Sequence, residues 1–113
     1  MGCLFCNIVD RKIPADIVYE DDHVLAFRDI RPVAPTHVLV IPKLHLEALR
    51  EAEPSHAPIL GQVLVAARRV AETLALVPEG FRLVINDGAA AGQTVFHVHA
   101  HILGGRSLSW PPG

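Results

Sequence analysis

The stretch Val95-Phe96-His97-Val98-His99-Ala100-His101-Ile102-Leu103 decides how the rest of the chain is read. Polar and apolar residues alternate through it. Period-two alternation in a run containing β-branched and aromatic residues predicts a strand with one buried face. Side chains at i, i+2 and i+4 of a strand share a face, so His97, His99 and His101 form a row while Phe96, Val98, Ala100 and Ile102 point into the core. Of the seven histidines in the chain, these three fall in one short run, which concentrates imidazole chemistry above a hydrophobic floor. One metal ion does not account for the row. At a rise of about 3.3 Å per residue the Cα atoms of His97 and His101 stand roughly 13 Å apart, whereas zinc holds ligand nitrogens at about 2.0–2.1 Å. At least one of the three imidazoles is therefore free for other work.

The 113 residues, half of them hydrophobic and 19% charged, have the composition of a single globular domain spanning residues 1–113. A net charge of −2 gives no electrostatic footprint for a polyanion, so a nucleic-acid polymer is not expected as partner. No apolar run reaches the roughly 18–20 residues of a membrane span. Met1-Gly2-Cys3 leads into mixed sequence without the basic and apolar regions of a signal peptide, and Cys6 stands where a myristoylation pattern needs Ser or Thr. The expectation is a soluble, cytoplasmic protein. Cys3 and Cys6 form a C-x-x-C pair, which in a reducing compartment suggests metal binding or redox chemistry before a structural disulfide. A thioredoxin-like role would place the pair after a strand, and no strand precedes Cys3 in this sequence. The pair gains meaning only if histidines elsewhere complete a tetrahedral set.

Along the chain, Leu4-Phe5 and Ile8-Val9 recur at helical spacing and predict a short opening helix that ends before Pro14. Residues 17–20 and 24–28 read as strands joined at Asp21-Asp22. Residues 37–41 are apolar enough for a central strand buried on both faces. From Pro58, the residues Ile59, Leu60, Val63, Leu64, Ala67, Val70, Ala71 and Leu74 trace the stripe of one long helix. Residues 81–85 give a fourth strand, and Asn86-Asp87-Gly88 a turn towards the histidine run. Short connections imply an antiparallel sheet, with the helices on one side of it: an α+β domain in which the fourth and fifth strands pair.

A neutral imidazole is a competent nucleophile near pH 7, because its reference pKa is about 6.5 and it need not first lose a proton. Its neighbours can hold charge or carry a proton to a leaving group. Beside a glycine-containing turn such a row suits attack on phosphorus. The N–H groups of Gly92 and Thr94, the Thr94 hydroxyl and the Asn86 amide are the candidate donors to phosphate oxygens. The turn is not a P-loop, since no G-K-[ST] follows it, and no carboxylate cluster indicates a two-metal site.

The segment His97-Val98-His99-Ala100-His101-Ile102-Leu103 resembles the His-φ-His-φ-His-φ-φ signature of the histidine triad (HIT) superfamily, φ being apolar. The likeness extends through Ile13-Pro14-Ala15, Glu20-Asp21-Asp22, Ala34-Pro35-Thr36-His37, Ile41-Pro42-Lys43, Gly92-Gln93-Thr94 and Leu103-Gly104-Gly105-Arg106. The closing Trp110-Pro111-Pro112-Gly113 is similar to the histidine triad nucleotide-binding (Hint) branch. The resemblance implies a five-stranded antiparallel sheet with two helices, continued across a homodimer. It implies a phosphoramidase acting on purine nucleoside 5′-phosphoramidates: His99 attacks the α-phosphorus, His97 orients His99, and His101 with His37 handles phosphate charge and protons. Asn86, Gly92, Gln93 and Thr94 would meet the phosphate, Asp29 the ribose, and Leu4, Phe5, Ile8, Ile13, Phe27 and Ile30 the purine. No cofactor is required for that reaction. Some bacterial members hold a structural zinc, and the matching residues here are Cys3, Cys6, His45 and His97, a Cys₂His₂ set. Thr94 departs from the serine of many members. A dinucleoside polyphosphate hydrolase of the same superfamily, or a nucleotide-binding regulatory or scaffold protein, is the alternative reading.

Overall fold

The computed structural model describes residues 2–113. Helix α1 spans Leu4–Val9, strands β1, β2 and β3 span Ile17–Glu20, Val24–Arg28 and Thr36–Pro42, helix α2 spans Ala57–Thr73, and strands β4 and β5 span Phe81–Val84 and Ala100–Gly104. Three short 3₁₀ turns, at Leu49–Glu51, Pro54–His56 and Ala89–Ala91, punctuate the long connections. The strands form one sheet in the order β1-β2-β3-β5-β4, and every neighbouring pair is antiparallel. The five-stranded antiparallel α+β architecture is the one the sequence predicts. Among the described residues no helix is long and apolar enough to cross a membrane.

Strand β3 is central, as expected, and buried from His37 to Pro42. Alternation along the strands separates two cores. Val24, Ala26, Val38, Val40, Ala100 and Ile102 pack with Val63, Ala66, Ala67, Val70 and Ala71 of α2. Leu25, Phe27, Leu39 and Ile41 face the other way and pack with Phe5 and Ile8 of α1. The two helices thus lie on opposite faces, which corrects the expectation that both lie on one side. The reason is that the inner strands carry buried apolar residues on both faces, so each face needs a cover.

The histidine run also departs from the expected strand. Only residues 100–104 join the ladder, and residues 95–97 bend. The Val98 N–H donates to the Leu46 carbonyl at 2.6 Å, outside the β3 ladder. Phe96, expected in the core, is 49% exposed. Within the ladder the predicted alternation holds: Ala100 and Ile102 face α2, and His101 stands opposite Leu39 on the α1 side.

Candidate active site and metal-ligand cluster

Helix α1 covers only part of its face, because six residues give less than two turns. The uncovered remainder is a cleft of about 360 Å³, lined by Leu4, Phe5, Ile8, Ile13, Phe27, Asp29, Ile30, Thr94, His99 and His101, among others. Phe5, Ile8 and Phe27 are buried and form its floor, whereas Leu4 at 44% and Ile30 at 91% exposure are apolar walls open to solvent. The expected purine, ribose and nucleophile residues therefore meet in one cavity. Leu39, Pro14, Ala15, Arg28, Arg31 and Val95 also line it; of these Leu39 was legible from β3 periodicity, being in register with His101.

The imidazoles are fixed individually. His99 Nδ1 lies 2.7 Å from the His97 carbonyl; a carbonyl only accepts, so Nδ1–H donates and Nε2 keeps its lone pair. The Phe5 ring stands edge-on to His99 at 5.0 Å between centroids. His97 is fully buried, and its Nε2–H donates to the Pro42 carbonyl at 2.8 Å, leaving its Nδ1 as an acceptor. His97 thus orients His99 through its main-chain carbonyl, not through its ring. No sequence signal pointed to the Pro42 carbonyl. Beside them, His37 Nε2 is 2.9 Å from His101 Nδ1 and 3.4 Å from Asp29 Oδ2.

Burial dominates the protonation of the row. Desolvation holds His97 down to about 4. Desolvation, with His99 and His37 as like-charged neighbours, holds His101 down to about 4. His99 and His37 are lowered by desolvation as well, partly offset by the His97 carbonyl for His99 and by Asp29 for both. All four imidazoles are neutral near pH 7, which is the form a nucleophile or a hydrogen-bond relay needs.

The glycine turn is arranged differently from expectation. The Gly92 N–H donates to the Ala89 carbonyl, and the Gln93 N–H to the Gly88 carbonyl, each at 3.0 Å. The buried Gln93 amide accepts from Gly88 N–H at 2.8 Å and donates to the carbonyls of Glu47 at 2.8 Å and Val95 at 3.2 Å. Gln93 and Gly92 therefore staple the loop together, with their N–H groups engaged inside the turn. Asn86 packs against Gly92, with a Cβ there falling 3.5 Å from its Nδ2. Thr94 alone of this group reaches the cleft wall.

The Cys pair sits across the start of α1. Cys3 is the N-cap, and its Sγ accepts from Cys6 N–H at 3.2 Å, so both sulfurs share one side of the first turn. That side meets His97 and His45. Cys3 Sγ and Cys6 Sγ lie 3.3 and 3.5 Å from His97 Nδ1, Cys6 Sγ lies 3.3 Å from His45 Nδ1, and the two Nδ1 atoms are 3.1 Å apart. All four donor atoms fall within 4.8 Å of one another. A tetrahedral zinc with bonds of about 2.0–2.3 Å sets its ligand atoms roughly 3.3–3.8 Å apart, so the set fits in number, chemistry and spacing. The lone pair that the Pro42 contact leaves on His97 Nδ1 points to the same place. Burial, then Cys3, pushes the Cys6 thiol up to about 11, so a divalent cation is needed to draw off its proton.

The HIT domain family model matches residues 10–108. The chain belongs to the HIT family and to its Hint-like branch. A HIT family hydrolase from Legionella pneumophila superposes with a TM-score of 0.97 at 46% identity, covering 99% of this chain and 100% of that one. The adenylylsulfatase HINT1 of Arabidopsis thaliana is 50% identical over 97% of this chain and 76% of its own length. The 14 kDa zinc-binding protein of Zea mays is 51% identical over 97% of this chain and 87% of its own.

Proposed function

We propose that the protein is a nucleotide hydrolase that cleaves purine nucleoside 5′-phosphoramidates through a nucleotidyl-histidine on His99. The observation that carries this reading is the His99–His97 carbonyl contact, which leaves the His99 Nε2 lone pair at a cleft with exposed apolar walls. Leu4 and Ile30 sandwich the purine above the Phe27 floor, and Asp29 takes the ribose hydroxyls. His99 Nε2 attacks the α-phosphorus; the phosphorus–nitrogen bond breaks, and the amine leaves with the Nε2 proton of His101, which is an imidazolium at this step because the bound phosphate anion draws a second proton onto its Nδ1 and which is left as the neutral imidazole. Water then attacks the phosphorus–Nε2 bond, gives its proton to His101, and releases the nucleoside monophosphate with His99 restored. Hydrolysis of adenosine 5′-monophosphoramidate tests the reading: His99→Ala should lose roughly a thousandfold or more in kcat, and full retention of turnover would refute it.

The relative named an adenylylsulfatase favours a second substrate on the same machinery, adenylyl sulfate, whose sulfate departs without needing a proton. Cys3, Cys6, His45 and His97 hold a structural zinc; elemental analysis should find about one zinc per chain, and its absence from protein purified without chelator would refute the assignment. The protein acts as a homodimer, with Leu64 and Val65 of α2, 49% and 56% exposed, in the contact and the sheet continued across it. Trp110, beside Arg82, then lies on a tail directed to the partner's cleft. A monomer in sedimentation at micromolar concentration would remove this part.

A further inference from the structure

His37 carries a constraint that the row itself does not explain. The Val33 N–H donates to His37 Nδ1 at 3.1 Å, so Nδ1 is an acceptor and the proton of the neutral ring must sit on Nε2. The nearest acceptor to that proton is His101 Nδ1 at 2.9 Å. His101 Nδ1 is then also an acceptor, and the His101 proton is placed on Nε2. One main-chain N–H thus sets the tautomers of two imidazoles in series.

Val33 is itself held, through its carbonyl, from beyond the end of β5. The Arg106 guanidinium donates to the Val33 carbonyl at 3.0 Å. Gly105, at φ +90°, lies so close to Pro35 that an added Cβ would fall 2.9 Å from the Pro35 Cβ. Arg106 does not line the cleft, so it touches the loop and not the substrate.

We propose that Arg106 is a positioning residue for the hydrolysis: with Gly105 it fixes the loop at residues 33–35, and through the Val33 N–H and His37 it keeps the His101 proton on Nε2. The inference rests on the reading of His101 as proton donor to the leaving group. The test is long-range ¹H–¹⁵N correlation of the imidazoles in the full protein, alongside kinetics on adenosine 5′-monophosphoramidate. In Arg106→Ala, His37 and His101 should shift from single Nε2–H forms to tautomer mixtures. The kcat should fall about tenfold, a fraction of what a general acid contributes, with KM nearly unchanged. Arg106→Lys, which still offers a donor to the Val33 carbonyl, should restore both. Gly105→Ala, which pushes the loop from the Pro35 side and keeps the Arg106 guanidinium in the chain, should show the same tautomer mixture. Unchanged His37 and His101 tautomers in Arg106→Ala overturn the proposal. Failure of the unsubstituted protein to hydrolyse the phosphoramidate would sink the proposed function alone, since the nitrogen signatures decide the positioning of His37 and His101 without turnover.

Discussion

The two faces of one sheet are built from the same strands and do different work. On the α2 face a 17-residue helix closes a wholly apolar core over Val38, Val40, Ala100 and Ile102. On the α1 face a six-residue helix leaves a cleft, and buried imidazoles stand beside Phe5, Phe27 and Leu39. The strand period places stability and chemistry one residue apart: His101 and Ile102 are chain neighbours with opposite duties. The shorter cover leaves the α1 face open beside the imidazoles.

The sharpest way to break that division is to exchange the duties. Ile102→Ala empties a fully buried position on the closed face and should cost about 3–4 kcal/mol of stability in urea unfolding, with turnover per folded molecule held. A fall in turnover without loss of stability would show that the faces are not separate. Its neighbour should behave in the opposite way. His101→Gln should lower phosphoramidate turnover by about a hundredfold. Adenylyl sulfate, whose leaving group needs no proton, should be affected far less. Equal losses on both substrates would deny His101 its role as proton donor.

A smaller effect separates the faces by pH. His97 and His101 titrate near 4 when folded and near the reference value of about 6.5 when unfolded. Between those values the unfolded chain binds more protons than the native one, so stability is full above about pH 6.5 and falls as the pH drops towards 4. Metal-free protein should show this loss in thermal melts. Replacing Ile102 should lower the whole curve without moving the window, and replacing His101 should shrink the slope.

The sequence was legible where one side-chain period ran unbroken. The α2 stripe, the buried β3 and the strand ends at Glu20 and Arg28 followed from periodicity alone, and the resemblance singled out His99, His101 and the apolar residues that meet at the cleft. What stayed hidden was set by main-chain partners. The carbonyl of Pro42 and the N–H of Val33 fix imidazole tautomers from distant loops, and no residue type announces a backbone atom. Periodicity also overstated the strand: residues 95–99 alternate correctly but turn towards Leu46, because the loop before α2 offers Val98 a partner outside the sheet. Gln93 stands in the motif of a ligand contact, and its amide also holds the turn through three hydrogen bonds that no residue type announces. The helices could not be assigned to faces from their own sequences, since both strand faces are apolar and either would accept either helix.

The central claim is that the α1-side cleft presents one nucleophile, His99, with its attacking nitrogen set by the His97 carbonyl. Rapid acid-free quenching of the reaction with a nucleoside 5′-phosphoramidate labelled at the α-phosphorus, followed by peptide mapping, measures this directly. The account predicts transient label on the His99 imidazole and none in His99→Ala. Label on His97 or His101, or turnover at the full rate by His99→Ala, would contradict it.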